Sequence, residues 1–296
     1  MHCKLQRIYQ TLKQLFVVRK KLEDYKNEYD LVYCTHVRNL LELYLSGFNL
    51  KKVILTEHGS YYGYNKVYKI LKRFLYPKCK YIISPTSMDY NIYKLQKCNA
   101  IYIANPLSFY HERFADLTSK TIVNIGRLTS DKRQDLLLKI WNIVSKNYPD
   151  WKLKIIGKGE CQDSLMQIIE EYKLSQSVEI IEPLKDIESI FLKSSIFAFT
   201  SKYEGFGMVL AEAMSCGVPC ISFDIPSGPR DIIENAQDGF LIQEGNVGEY
   251  ILKLEVMISD EEQRREMGKK SRENIRRFLD STIEKTWMSL LEKGEI

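Results

Sequence analysis

The run from Ile196 to Pro219 limits what this chain can fold into more than any other stretch of it. Ile196-Phe197-Ala198-Phe199-Thr200 is a short apolar run of β-branched and aromatic residues, as in a buried strand. In the following Glu204-Gly205-Phe206-Gly207, two glycines allow a sharp turn and a close approach of backbone to ligand. Met208 to Cys216 is rich in helix formers and is stopped by Gly217 and Pro219. A strand that feeds a glycine turn and then a helix leaves free N–H groups at the helix start, a natural seat for a phosphate. Glu204 stands in the turn, and Glu212 lies five residues beyond Gly207, about 7.5 Å down the helix axis at 1.5 Å per residue. Carboxylates that share space with a phosphate suit hydroxyl groups better than further charge. The ligand this pattern suggests is a sugar phosphate.

Glu204 and Glu212, with seven residues between them and Gly-Phe-Gly after the first, resemble the E-x7-E motif of retaining glycosyltransferases of family 4. The resemblance continues through Gly217-Val218-Pro219; the bland alternative is a pair of solvated helix glutamates. It implies an α/β protein with two Rossmann-like domains, the GT-B architecture, using a nucleotide-sugar donor. In that family the first Glu contacts the donor sugar and the second the ribose. The amides after the first Glu hold phosphate and sugar, which implies Phe206, Gly207, Met208 and Val209 here.

Gly126-Arg127-Leu128 with Asp131-Lys132 follows a strand-like run at Thr121–Ile125. It resembles the family's G-R-L…K signature, whose Arg and Lys hold the diphosphate. Independently of the resemblance, a departing diphosphate gains charge, and fixed cations such as Arg127 and Lys132 stabilise it without a metal. There is no Asp-x-Asp in the chain, so no metal and no other cofactor is expected. Gly157-Lys158-Gly159 resembles the family's G-x-G turn and lacks the third glycine of a dinucleotide fingerprint. Where the family usually has Gly after a later strand, Glu182-Pro183 stands. Glu57-His58-Gly59 ends an apolar run at a place where open α/β sheets hold ligands, and it resembles a family turn whose His approaches the donor. The implied catalytic set is Glu204, Arg127, Lys132 and His58, with Gly126 and Gly157 also at the donor; the alternative for His58 is a strand-turn cap, and His36 reads as structural. Asp224 to Ile233, Asp-x-Pro-Ser-Gly-Pro-Arg-Asp-Ile-Ile, resembles bacterial members that build capsule or lipopolysaccharide. Arg276 to Trp287 resembles the family's closing helix, which crosses back over the first domain.

The 296 residues suffice for two domains. Seven scattered Cys without a C-x-x-C pair, and four His in no ligand spacing, indicate neither a disulfide framework nor zinc. No apolar stretch approaches the roughly 18 residues that span a bilayer, and no signal peptide is evident. The expected location is cytoplasmic, with peripheral contact on the inner face of the membrane. Residues 1–115 carry 19 Lys and Arg against 8 Asp and Glu, net +11, whereas 116–296 carry 24 against 30, net −6. This asymmetry supports a boundary near 115, between an acceptor-side domain (1–115) and a nucleotide-sugar domain (116–296). It also gives the first half an acidic partner. Without a nucleic-acid motif, anionic lipid or a phosphate-linked acceptor leads.

Within the first half, Lys4 to Tyr29 reads as a basic helix, followed by about four strands where six or seven are usual, so the first domain is expected to be shortened. Val67, Ile70, Leu71, Phe74 and Leu75 recur at helical spacing, ringed by Lys66, Lys69, Lys72 and Arg73. The favoured reading turns this stripe to the sheet and the lysines to water, against a membrane-surface helix. Near the C-terminus, Ser259-Asp260-Glu261-Glu262 reads as a capping box.

The function expected is transfer of a hexose or N-acetylhexosamine, with retention, from a UDP or similar nucleotide sugar to a surface-glycan or lipid-linked acceptor. The alternative is a donor-binding pseudoenzyme, or a subunit that a partner chain completes. An epimerase or phosphorylase of similar architecture lacks supporting residues.

Overall fold

A computed structural model describes residues 29–292 together with Val17 and Lys21, and divides the chain into two compact units. The first comprises Met1–Ala104 with Glu284–Ile296, and the second Asn105–Ile283. The division falls after Ala104 rather than at 115 because the intervening segment is bonded into the second unit. Leu107 N–H donates to the Phe278 carbonyl at 2.9 Å and Ala115 N–H to the Cys216 carbonyl at 2.8 Å. The basic helix expected over 4–29 lies outside the described residues, except that Val17 and Lys21 are helical.

In the first unit β1 (Val32–Cys34), β2 (Val53–Thr56), β3 (Tyr81–Ser84) and β4 (Ala100–Tyr102) pair in that order, all parallel. The connections are helices α1 (Val37–Leu45), α2 (Lys66–Leu75) and α3 (Ser87–Leu95). Local chemistry starts each of them: His36, Asn65 and Thr86 accept a first-turn N–H as N-caps. β2 and β3 are buried at every position, as strands covered on both faces must be.

α2 departs from the expected orientation. Leu75 is fully buried and Leu71 packs on the core, but Val67, Ile70 and Phe74 are 65%, 68% and 50% exposed. Lys72, expected in water, has no exposed surface. Its ammonium lies 2.9 Å from Glu57 Oε1 and 3.2 Å from the centre of the Tyr64 ring. Glu57 also accepts the hydroxyls of Tyr76 and Tyr64, so the buried charges are both paired and hydrogen-bonded.

The second unit alternates β5 (Thr121–Ile125), α4 (Gln134–Val144), β6 (Lys152–Ile156), α5 (Gln162–Glu171), β7 (Val178–Ile181) and α6 (Glu188–Phe191). It continues with β8 (Ile196–Phe199), α7 (Met208–Ser215), β9 (Cys220–Asp224), α8 (Pro229–Ile232) and β10 (Gly239–Gln243). The sheet is parallel in the order β10-β9-β8-β5-β6-β7. Strand order reverses between β5 and β8, the position where such sheets bind ligands beyond their carboxyl ends. α9 (Val247–Ser259), α10 (Glu261–Asn274) and α11 (Asp280–Glu292) follow. At the start of α10 the cap is Asp260, which accepts from Gln263 N–H, whereas Ser259 ends α9 with its hydroxyl on the Glu255 carbonyl. The helix start therefore sits one residue later than the expected box.

Candidate functional site

Three loops meet at the carboxyl ends of β5, β6 and β8. The turns after β5 and β6 touch backbone to backbone: Gly126 N–H donates to the Ile156 carbonyl and Leu128 N–H to the Lys158 carbonyl, both at 3.0 Å. A Cβ at Gly157 would fall 1.9 Å from the Gly126 oxygen, so no side chain fits there. The loop after β5 is then tied to the end of β8. Arg133, left-handed at φ 52° and capping α4, donates from Nε to the Thr200 carbonyl at 2.8 Å and from Nη2 to the Ser201 carbonyl at 3.0 Å. Thr200 returns its hydroxyl to the Lys132 and Arg133 carbonyls, and Lys202 N–H donates to the Asp131 carbonyl at 2.7 Å.

This stitching brings Lys132 and Glu204 together as a largely buried ion pair. Gly207, at φ 94°, caps α7 in a conformation that favours glycine. Beyond it, Met208 and Val209 open the helix, where intrahelical acceptors for N–H groups run out. The Phe206 ring is buried against Phe278, with centroids 5.2 Å apart, so its contribution to a ligand is through its backbone. On the inner side of α7, Glu212 is buried and accepts the Ser108 hydroxyl at 2.7 Å. Burial raises its carboxyl above the ordinary range, and the Ser108 bond partly restores it. Amides, a cation and two carboxylates thus converge at one sheet end, a set able to hold an anion and several hydroxyls at once.

Arg127 is exposed on the rim, and Gln134 holds its carbonyl at 3.0 Å. Beside it a cleft of about 320 Å³ is walled by Gly126, Gly157, Pro183, Leu184 and Ile187. Pro183 stands where the resemblance led one to look for glycine, and it supplies an apolar wall. A larger cavity of about 430 Å³ lies by Phe114, Gly217 and Arg272, near the N-terminal ends of β5 and β9. Of its four lining cations, Arg265, Lys269, Arg272 and Arg276, Arg272 bonds the Ser215 and His111 carbonyls, and the cavity lies at the opposite end of the sheet from the motif-bearing loops. His58 belongs to the first unit and is exposed at the exit of β2. His36 is the Nδ1 cap of α1, accepting from Arg38 N–H at 3.1 Å. Among the described residues no three His, Cys, Asp or Glu side chains gather so as to hold a metal ion, and no helix is long and apolar enough to cross a membrane.

Arg133, Thr200, Ser108 and the Pro183–Ile187 wall were not legible as site residues. No motif marks them, and the bonds of the first three reach across 67 to 104 residues of sequence.

Residues 111–274 match the family model "Glycosyl transferases group 1". An uncharacterized glycosyltransferase of Haemophilus influenzae is 30% identical over 291 residues, 96% of this chain and 82% of that protein. The amylovoran biosynthesis glycosyltransferase AmsD of Erwinia amylovora is 31% identical over 249 residues, covering 81% and 70%. The crystal structure of Anabaena HepE with UDP and glucose superposes with a TM-score of 0.81 at 19% identity, over 95% of this chain and 83% of that one, so the two share the GT-B fold. With the motif-bearing loops at the switch point of its second sheet, the chain belongs to the glycosyl transferases group 1 family and is a glycosyltransferase.

Proposed function

We propose that the protein transfers a hexose or N-acetylhexosamine from a UDP-sugar to a surface-glycan or lipid-linked acceptor, with retention at the anomeric carbon and without a metal ion. The observation that carries this reading is the convergence of the Lys132–Glu204 pair, buried Glu212 and the start of α7 beside an apolar cleft. The uracil ring stacks in the cleft against Gly126, Gly157 and Pro183. Glu212 accepts the ribose hydroxyls, and the amides of Gly207, Met208 and Val209 hold phosphate and sugar. Lys132 and Arg127 take the charge of the departing diphosphate, in the place a metal would otherwise occupy. The diphosphate displaces Lys132 from Glu204, which frees that carboxylate for the donor sugar. No side chain is assigned as a nucleophile: the leaving phosphate oxygen accepts the proton of the incoming hydroxyl as the new C–O bond forms on the face that UDP leaves. The amylovoran role in the name of AmsD and the UDP and glucose held by HepE support the polysaccharide and UDP-sugar parts of the reading.

The test is a panel of nucleotide sugars, first by thermal shift and then by nucleotide release with an acceptor, with and without EDTA. UDP-sugars are expected to stabilise the protein and be consumed equally in both conditions, and NMR of the product is expected to show the donor's anomeric configuration. Release abolished by EDTA would overturn the cation-clamp mechanism, and an inverted product the retaining one.

A further inference from the structure

The outer face of α2 is made of residues that elsewhere fill cores. Lys66, Val67, Ile70, Arg73 and Phe74 share one side of the helix at i, i+1, i+4, i+7 and i+8. The three apolar ones are at least half exposed. The patch continues onto α1, where Tyr44 meets Phe74 edge to face at 5.5 Å and Leu45 is 56% exposed. Contiguous apolar surface of this kind marks an interaction site. Its rim is cationic: Lys66 and Arg73 are exposed on α2, and Lys78, just beyond, holds its ammonium 4.6 Å from the Phe74 ring centre. α2 contains no carboxylate, and the single one on α1, Glu42, faces Arg38 at 3.5 Å.

We propose that this face docks on an anionic phospholipid bilayer. Val67, Ile70 and Phe74 enter the boundary between headgroups and acyl chains, and Lys66, Arg73 and Lys78 lie over lipid phosphates. Exposed apolar side chains on a helix that carries lysine and arginine and no carboxylate are what an interfacial helix presents to such a surface. A second copy of this chain fits it poorly, since self-association through the patch would set like charges against each other. The inference deepens the lipid-linked-acceptor part of the proposed function by naming the surface that brings the enzyme to its acceptor.

The test is co-sedimentation of the full chain with vesicles of phosphatidylglycerol and phosphatidylcholine, compared with phosphatidylcholine alone. The wild type is expected to bind the anionic vesicles, with affinity falling as salt shortens the screening length. Lys66→Glu with Arg73→Glu is expected to weaken binding at least tenfold, since each cation near such a surface accounts for roughly fivefold. Ile70→Asp with Phe74→Asp is expected to weaken it at least tenfold by removing the inserted apolar area. All four positions are exposed, and an unchanged UDP-induced thermal shift verifies that each variant is folded. Equal binding by wild type and the charge-reversal variant, equal binding to neutral vesicles, or dimerisation lost in both variants without an effect on vesicles would each overturn the proposal. UDP release with a soluble acceptor separates it from the function itself. Docking without release on any acceptor would sink the transferase reading alone, and release by a protein that ignores vesicles would sink the docking alone.

Discussion

Lys132 and Glu204 show how one ion pair can serve two states. Paired, they neutralise each other inside a largely desolvated loop junction; with a diphosphate present, each acquires a separate partner in the proposed reaction. Losing a hydrogen bond from a charged group to a hydroxyl weakens binding by about 1.5–3 kcal/mol. Glu212→Ala is therefore expected to weaken UDP binding at least tenfold by calorimetry, whereas Glu204→Ala lowers kcat and leaves UDP affinity near that of the wild type. Unchanged UDP affinity in Glu212→Ala would remove the ribose assignment. Asp238 gives a pH signature distinct from catalysis. Burial raises its carboxyl from 3.8 to about 6, against the lowering effect of bonds from Asn274 and the Glu234 N–H. Between those values the folded state keeps a proton that the unfolded chain releases, so stability from this group is full below about 3.8 and falls as pH rises to about 6. Asp238→Asn removes that titration. The Tm of the variant relative to wild type is expected to rise between pH 4 and pH 7, and a flat difference would contradict the assignment.

At the scale of elements, two close contacts decide local stability. The turns after β5 and β6 approach so closely at Gly157 that Gly157→Ala must push the Gly126 backbone away. We expect a loss of about 2 kcal/mol or more, read as a Tm lower by several degrees, together with weaker UDP binding, because Gly126 and Gly157 line the same cleft. On α2, Lys72→Met leaves Glu57 buried without its cation, which is expected to destabilise by about 3–5 kcal/mol in denaturant titration. Lys66→Met, on the exposed side of the same helix, is expected to stay within about 0.5 kcal/mol. Equal effects of the two would mean that the buried pair is not what holds this helix.

For the molecule as a whole, division into two units leaves the loops proposed to hold UDP in the second alone. Ligand at a hundredfold excess over Kd stabilises what it binds by about 2.7 kcal/mol. Saturating UDP is therefore expected to slow amide exchange in β5 to β10 and leave β1 to β4 little changed; uniform slowing of both sheets would contradict a donor site confined to the second unit. The sequence by itself indicated about four strands in the first half, the helical stripe of α2 and the strand–turn–helix run from Ile196 to Pro219, because the spacing of apolar residues is a local property, whereas α1 and α3 were not read from it. It also determined the spacing of Glu204 and Glu212, the glycine turns beside them and the family those motifs resemble. Tertiary structure alone decided which partners these residues take. Glu204 pairs with a lysine 72 residues away and Glu212 bonds a serine 104 away, distances at which no local pattern acts. It decided the face of α2 as well. Periodicity marks an apolar stripe without saying whether sheet or solvent will meet it. In α2 the hydrogen-bonded pocket around Glu57 drew Lys72 inward, and Ile70 and Phe74 were left facing out.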